Sequence, residues 1–151
     1  MASNNLAIRN VEELQNHSVM AFQNAHLYLG ADYRRMMADN SKYREEAQQS
    51  LQPVMLFSNR VDVVVADRNI FARFADMPDV KARVNTGLPL RFHPIFPPTN
   101  YHVAFRDTEL CNSFNRGLKK IRENGLYDKI VSRYKGYLNE EQVTPSGSSR
   151  P

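Results

Sequence analysis

The most informative stretch of the hydrophobic pattern is a short one. Val61, Val63, Val64 and Val65 form a β-branched run bounded by Ser58-Asn59 before it and Asp67 after it. A run this short, apolar on both alternating faces, predicts a strand buried in a parallel sheet. Asn69, Ile70, Phe71, Arg73 and Phe74 then follow with helical spacing, so Asp67 stands where the strand hands over to a helix. In open α/β sheets, ligands collect at the carboxyl ends of strands. Asp is also a preferred N-cap residue. Asp67 therefore has two readings, as a helix cap and as a ligand contact.

The same pattern extends along the chain. Residues 1–10 are polar, without a periodic signal, and are expected to be flexible. Val11–Leu14 predicts one helical turn capped by Asn10 and broken at Gln15-Asn16-His17. Ser18–Phe22 reads as a short buried strand. Gln23-Asn24 turns into a helix with Ala25, Leu29, Tyr33, Met36 and Met37 on its inner face and Asp32, Arg34 and Arg35 outside. Gly30 falls within that helix, and Asn40-Ser41 ends it. Tyr43–Gln49 is polar and ambiguous. A helix is expected over Ser50–Phe57, with Pro53 tolerated in its first turn.

After the helix that follows Asp67, Met77-Pro78-Asp79 predicts a turn and Lys81–Thr86 a short strand. The prolines at 89, 94, 97 and 98 exclude a helix from Gly87 to Asn100 and predict an extended crossing segment. Tyr101–Phe105 reads as a strand. Asp107 or Thr108 caps a long helix carrying Leu110, Phe114, Leu118 and Ile121 on one face. Asn124-Gly125 stops it, and a last helix carries Leu126, Ile130, Val131 and Tyr134. From Asn139 onward the composition is that of a disordered tail. Strands alternating with helices over short connections predict an α/β sheet.

Composition and charge narrow the chemistry. At 151 residues the chain is about one domain long. Its net charge of +4 is spread among acidic residues, short of the dense basic face expected of a nucleic-acid binder. Cys111 is the single cysteine, so no intramolecular disulfide is possible, and burial as a small apolar residue is its expected role. No apolar run reaches transmembrane length. MASNNLAIRN lacks an apolar core of signal-peptide length. His17, His26, His93 and His102 lack metal-ligand spacing. Nucleophile elbows, glycine-rich phosphate loops and paired catalytic carboxylates are likewise missing, so neither a catalytic residue nor a cofactor is expected. Glu45-Glu46, beside Lys42 and Arg44, reads as a solvated charge cluster.

Three stretches in register carry a resemblance. RVDVVVAD at Arg60–Asp67 is similar to a strand of pattern G-R-x-D-x-x-x-x-D. FRDTELCNSFNRGLKKIRENGLYDKIVSRYKGY at Phe105–Tyr137 is similar to an ending made of a strand, a capped helix, a Gly turn and a Y-x-x-I-x-x-x-Y helix. AIRNVEELQNHSVMAFQNAHLYLG, from Ala7, is similar to the dL-x-g-x-x-V opening of a second lobe. Together they cover about residues 7–138 and resemble the extracellular solute-binding proteins of family 3, the receptors of polar amino-acid ABC transporters.

The resemblance implies a periplasmic-binding-protein type II lobe: a mostly parallel sheet with helices on both faces, plus a C-terminal helical pair. Val11 to about Pro97 corresponds to the second lobe and residues 98–138 to the segment that returns to complete a first lobe, which this chain is expected to lack. It further implies a periplasmic, non-enzymatic receptor for a small polar, amino-acid-like ligand. The partners it implies are an ABC permease and, for the helical pair, either a second copy or a chain supplying the first lobe. An alternative is a sensory or protein-interaction domain on the same lobe, no longer serving transport.

In this family the aspartate closing the strand, here Asp67, pairs with a ligand's α-amino group, as a carboxylate does through charge-assisted hydrogen bonds. The loop before the first helix contacts the ligand's carboxylate through backbone N–H groups. Here that loop is Phe22-Gln23-Asn24, where the family has Gly followed by Ser or Thr. Asn24 also has the simpler reading of an N-cap. The helix faces between Asp107 and Leu138 are expected to pack on the second lobe, on another chain, or poorly.

Overall fold

The structure, a computed structural model, describes residues 6–98 and 100–135. Within them the chain forms two compact units, divided at Pro97.

The first unit is an α/β unit built on three parallel strands. Strands β1 (Val19–Phe22), β2 (Tyr43–Glu46) and β3 (Val63–Val65) lie in the order β2-β1-β3. In register, Val19 faces Tyr43 and Val63, and Ala21 faces Glu45 and Val65. Central β1 is buried along most of its length, as the apolar run at Ser18–Phe22 predicts. Strand β3 occupies the end of the valine run.

The pleat splits the core into two layers. Val19, Ala21, Val63 and Val65 join a cluster with Leu14, Ala25, Tyr33 and Met36. Those partners come from the 3₁₀ turn Glu12–Asn16 and from helices α1 (Ala25–Tyr28) and α2 (Gly30–Asp39). Val64 and Ala66 instead pack with Phe57 and Phe71, from α3 (Leu51–Phe57) and α4 (Arg68–Ala75). Successive β3 side chains thus serve opposite layers of helices, the physical reason for a run apolar on both faces.

Several expectations are corrected in detail. The helix predicted from Ala25 through Met37 is broken at Gly30, whose φ of 89° lies in the left-handed region that glycine enters without strain. Tyr43–Gln49, ambiguous in sequence, supplies edge strand β2. An edge strand can be polar along its length, so no period shows. Lys81–Thr86 is not a strand. Pro78 opens a short helix, α5 (Pro78–Lys81), and buried Val80 anchors it. Lys81, Ala82 and Val84 then bond back to the carbonyls of Met77, Pro78 and Val80. Residues 6–10 give no sequence signal, yet Ile8 is buried, and Arg91 Nη1 donates to the Leu6 carbonyl at 3.2 Å.

The second unit holds helices α6 (Thr108–Glu123) and α7 (Leu126–Lys135). Asp107, not Thr108, is the cap of α6: its Oδ1 accepts the Leu110 N–H at 2.6 Å. Gly125, at φ 74°, makes the turn between the two helices. Tyr101–Phe105 is not a strand. None of its residues is in a strand, and Tyr101 is 75% exposed, while the Phe105 ring lies 5.1 Å from that of Phe114. Short extended segments need a sheet to persist as strands. Leu110, Phe114, Leu126 and Ile130 form an exposed apolar stripe on the pair. Cys111 is half-buried on α6. The predicted tail from Asn139 lies outside the described residues.

Candidate functional site

The order β2-β1-β3 creates a topological switch point. From β1 the chain crosses to β2 on one side, then returns past β1 to β3 on the other. Crevices in open α/β sheets form outside the carboxyl ends of the two strands that flank such a reversal. Those ends are Phe22-Gln23-Asn24 after β1 and Ala66-Asp67 after β3. The register of Ala21 with Val65 puts the two ends side by side. All four candidate residues named from the sequence therefore belong to one edge of the sheet.

Asp67 is the N-cap of α4. Its backbone is extended, and its Oδ1 accepts the N–H groups of Asn69 at 2.8 Å and Ile70 at 3.0 Å. The capping reading of Asp67 is thus realised in the structure. Asp67→Ala is expected to cost about 1 kcal/mol of stability through the lost cap, measurable by urea unfolding. Asp67→Asn, which caps about as well, is expected to leave stability within about 0.5 kcal/mol of the parent.

The loop after β1 behaves differently from either of its readings. Asn24 lies in the left-handed region at φ 63°, and its side chain makes no capping bond. Phe22 is half-buried against the core with its ring 6.5 Å from Tyr28, and Gln23 is exposed. Two amides at the start of α1, those of Asn24 and His26, are taken by a residue that the sequence reads as solvated charge. Glu45, near the end of β2, accepts the Asn24 N–H on Oε2 at 2.7 Å and the His26 N–H on Oε1 at 3.3 Å. Oε1 also lies 2.8 Å from His26 Nδ1 and accepts the Tyr43 hydroxyl at 2.8 Å.

The Glu45 carboxylate is therefore the internal anion at the start of α1. Partial burial pushes its pKa up. The bonds from His26, Tyr43 and the Asn24 amide outweigh that and hold it at about 2. The network continues inward, with Tyr43 and Tyr33 hydroxyls 3.3 Å apart and their rings edge to face at 5.8 Å. Burial raises Tyr33 to about 12 and Tyr43 further. Periodicity could not have revealed Glu45, because its role depends on β2 pairing beside β1.

Asp62 bridges the starts of β3 and β1. Its Oδ2 accepts the Ser18 N–H at 2.9 Å and the Ser18 hydroxyl at 2.7 Å, which lowers its pKa. Glu46 caps the following turn through the Gln48 N–H. Among the described residues, no cluster of three His, Cys, Asp or Glu side chains is placed to hold a metal ion, and no helix is long and apolar enough to cross a membrane.

No family model matches this chain, and no curated protein or solved structure matches it either.

Proposed function

We propose that this chain is a binding module: the second lobe of a solute-binding protein of an ABC-type importer, with the segment that returns toward a first lobe. The observation that carries the reading is the parallel switch point, with Asp67 and the Phe22-Gln23-Asn24 loop at its carboxyl edge. The geometry also narrows the ligand. Glu45 already engages the amides of Asn24 and His26, so this lobe has no vacant seat there for a ligand's carboxylate. With the Asp67 carboxylate following β3 beside that loop, the edge suits a cationic group. The ligand class is thus a small polar molecule that presents an ammonium to this lobe and any carboxylate elsewhere.

Residues 1–151 tested by themselves are expected to grip one side of the ligand, with affinity in the millimolar range. The exposed stripe of Leu110, Phe114, Leu126 and Ile130 is where a chain supplying the first lobe, or a second copy, would seat. Export to the periplasm and delivery to an ABC permease belong to the same proposal.

The test is an amide-resolved NMR titration with lysine, putrescine and glutarate. Lysine and putrescine are expected to shift the amides of residues 22–24 and 66–70. Glutarate is expected to leave them unmoved, and Asp67→Asn is expected to weaken the amine response at least about tenfold, as loss of a charge-assisted bond predicts. Equal responses to glutarate and putrescine, or amine binding indifferent to Asp67→Asn, would overturn the assignment.

A further inference from the structure

The first unit contains a cavity of about 200 Å³ whose lining reaches Ala66 and Arg68, on either side of Asp67, but includes neither Asp67 nor Phe22–Asn24. It runs beside β3 between the helices α3 and α4 and the extended segment 89–96. Its walls are largely apolar, with Leu56, Val64, Phe71, Leu90 and Ile95 among them. A cavity of roughly 150 Å³ suffices to hold a benzene-sized ring when its walls are apolar. The proline-rich segment keeps this space open: an extended chain with Pro89 and Pro94 cannot coil inward to fill it.

The lining also carries Asn59, Asp62, Arg68, Arg91 and His93. His93 is among the wall residues, and its Nδ1 is buried with no hydrogen-bond partner. Burial and the neighbouring Arg91 charge lower the pKa of this imidazole, with the Ile8 backbone and Glu13 opposing, so it is neutral at pH 7. A buried, unpaired ring nitrogen costs on the order of 1–3 kcal/mol, a cost that a ligand of matching shape and polarity removes. The arginines in the wall are otherwise engaged: Arg91 donates to the Leu6 carbonyl, and the Arg68 guanidinium lies 5.0 Å from the centre of the Phe92 ring.

We propose that this cavity is a binding site for a neutral, single-ring molecule bearing one hydroxyl, whose ring fills the apolar slot and whose hydroxyl pairs with His93 Nδ1. A phenolic hydroxyl suits a neutral imidazole because it can donate to a bare nitrogen or accept from a protonated one. The proposal uses neither Asp67 nor the 22–24 loop, although the cavity adjoins the end of β3 through Ala66 and Arg68.

The experiment titrates the unaltered chain with phenol, toluene and benzoate, followed by amide NMR and isothermal calorimetry. Phenol is expected to bind at least about fivefold more tightly than toluene, the ratio that one net hydrogen bond supplies. Shifts should centre on residues 63–66 and 89–96. His93→Phe is expected to bring phenol and toluene to parity while toluene still binds, and Leu90→Trp is expected to abolish both by filling the slot. Equal affinity for phenol and toluene in the unaltered chain, tighter binding of benzoate, or absence of binding would each overturn the proposal. The amine site is read at residues 22–24 and by Asp67→Asn, and the cavity at residues 89–96 and by His93→Phe, so failure of one site is distinguishable from failure of the other.

Discussion

Replacing Tyr33 with alanine is expected to lower the unfolding free energy by about 3–5 kcal/mol, the range for deleting a large buried aromatic side chain. Tyr33 has no exposed surface and sits in the cluster beneath β1. Its ring meets Tyr43 edge to face at 5.8 Å and Phe96 at 5.6 Å, so truncation opens a void that neither neighbour can fill without leaving its own contacts. Tyr33→Phe keeps the ring and removes only the hydroxyl bonded to Tyr43, and is expected to cost about 1 kcal/mol. Urea unfolding of both variants checks the pair. A loss below about 1.5 kcal/mol for Tyr33→Ala would mean that the layer over β1 is not packed as described.

The second large effect is in acid. Glu45 is held at about 2 in the folded chain against an ordinary value of 4.5. A group whose pKa is depressed by folding contributes stability above its unfolded pKa, and that contribution is lost as pH falls through the folded value. Stability is therefore expected to fall between about pH 4.5 and pH 2, with Glu45 responsible for about 1–2 kcal/mol after allowance for solvent screening. Asp62, also depressed by its bonds to Ser18, adds to the same limb with the same sign. In Glu45→Gln the acid limb is expected to be shallower, and stability at pH 7 lower by a similar 1–2 kcal/mol. An unchanged acid limb in that variant would count against the Glu45 network.

These two residues differ in how readable they were. Tyr33 has its place in an inward-facing helical stripe with Ala25, Leu29 and Met36, and local periodicity is enough to bury it. The break at Gly30 did not disturb this, because the stripe resumes on α2. Strand β1, the end of the valine run and the Gly125 turn were legible for the same reason: each is decided by neighbours within four residues. The sequence left Asp67 between cap and ligand contact, and the α6 cap between Asp107 and Thr108. Glu45 was not legible. YREE carries no period, and its strand exists because β1 offers an unpaired edge. Lys81–Thr86 and Tyr101–Phe105 show the converse, since both have strand-like composition but no strand to pair with.

The sequence by itself determined an α/β alternation around β1 and β3 and the two-faced burial of β3, and it narrowed Asp67 to a helix cap or a ligand contact. Those follow from side-chain spacing and from backbone groups that must be satisfied locally. Only the tertiary structure decided that the strands order as β2-β1-β3, and so that Asp67 stands beside Phe22-Gln23-Asn24 at one edge. It also decided that Glu45 accepts the Asn24 amide of that loop and that His93 borders a cavity. Each of these depends on atoms far apart in the chain, and the free energy that selects them appears only once the sheet has formed.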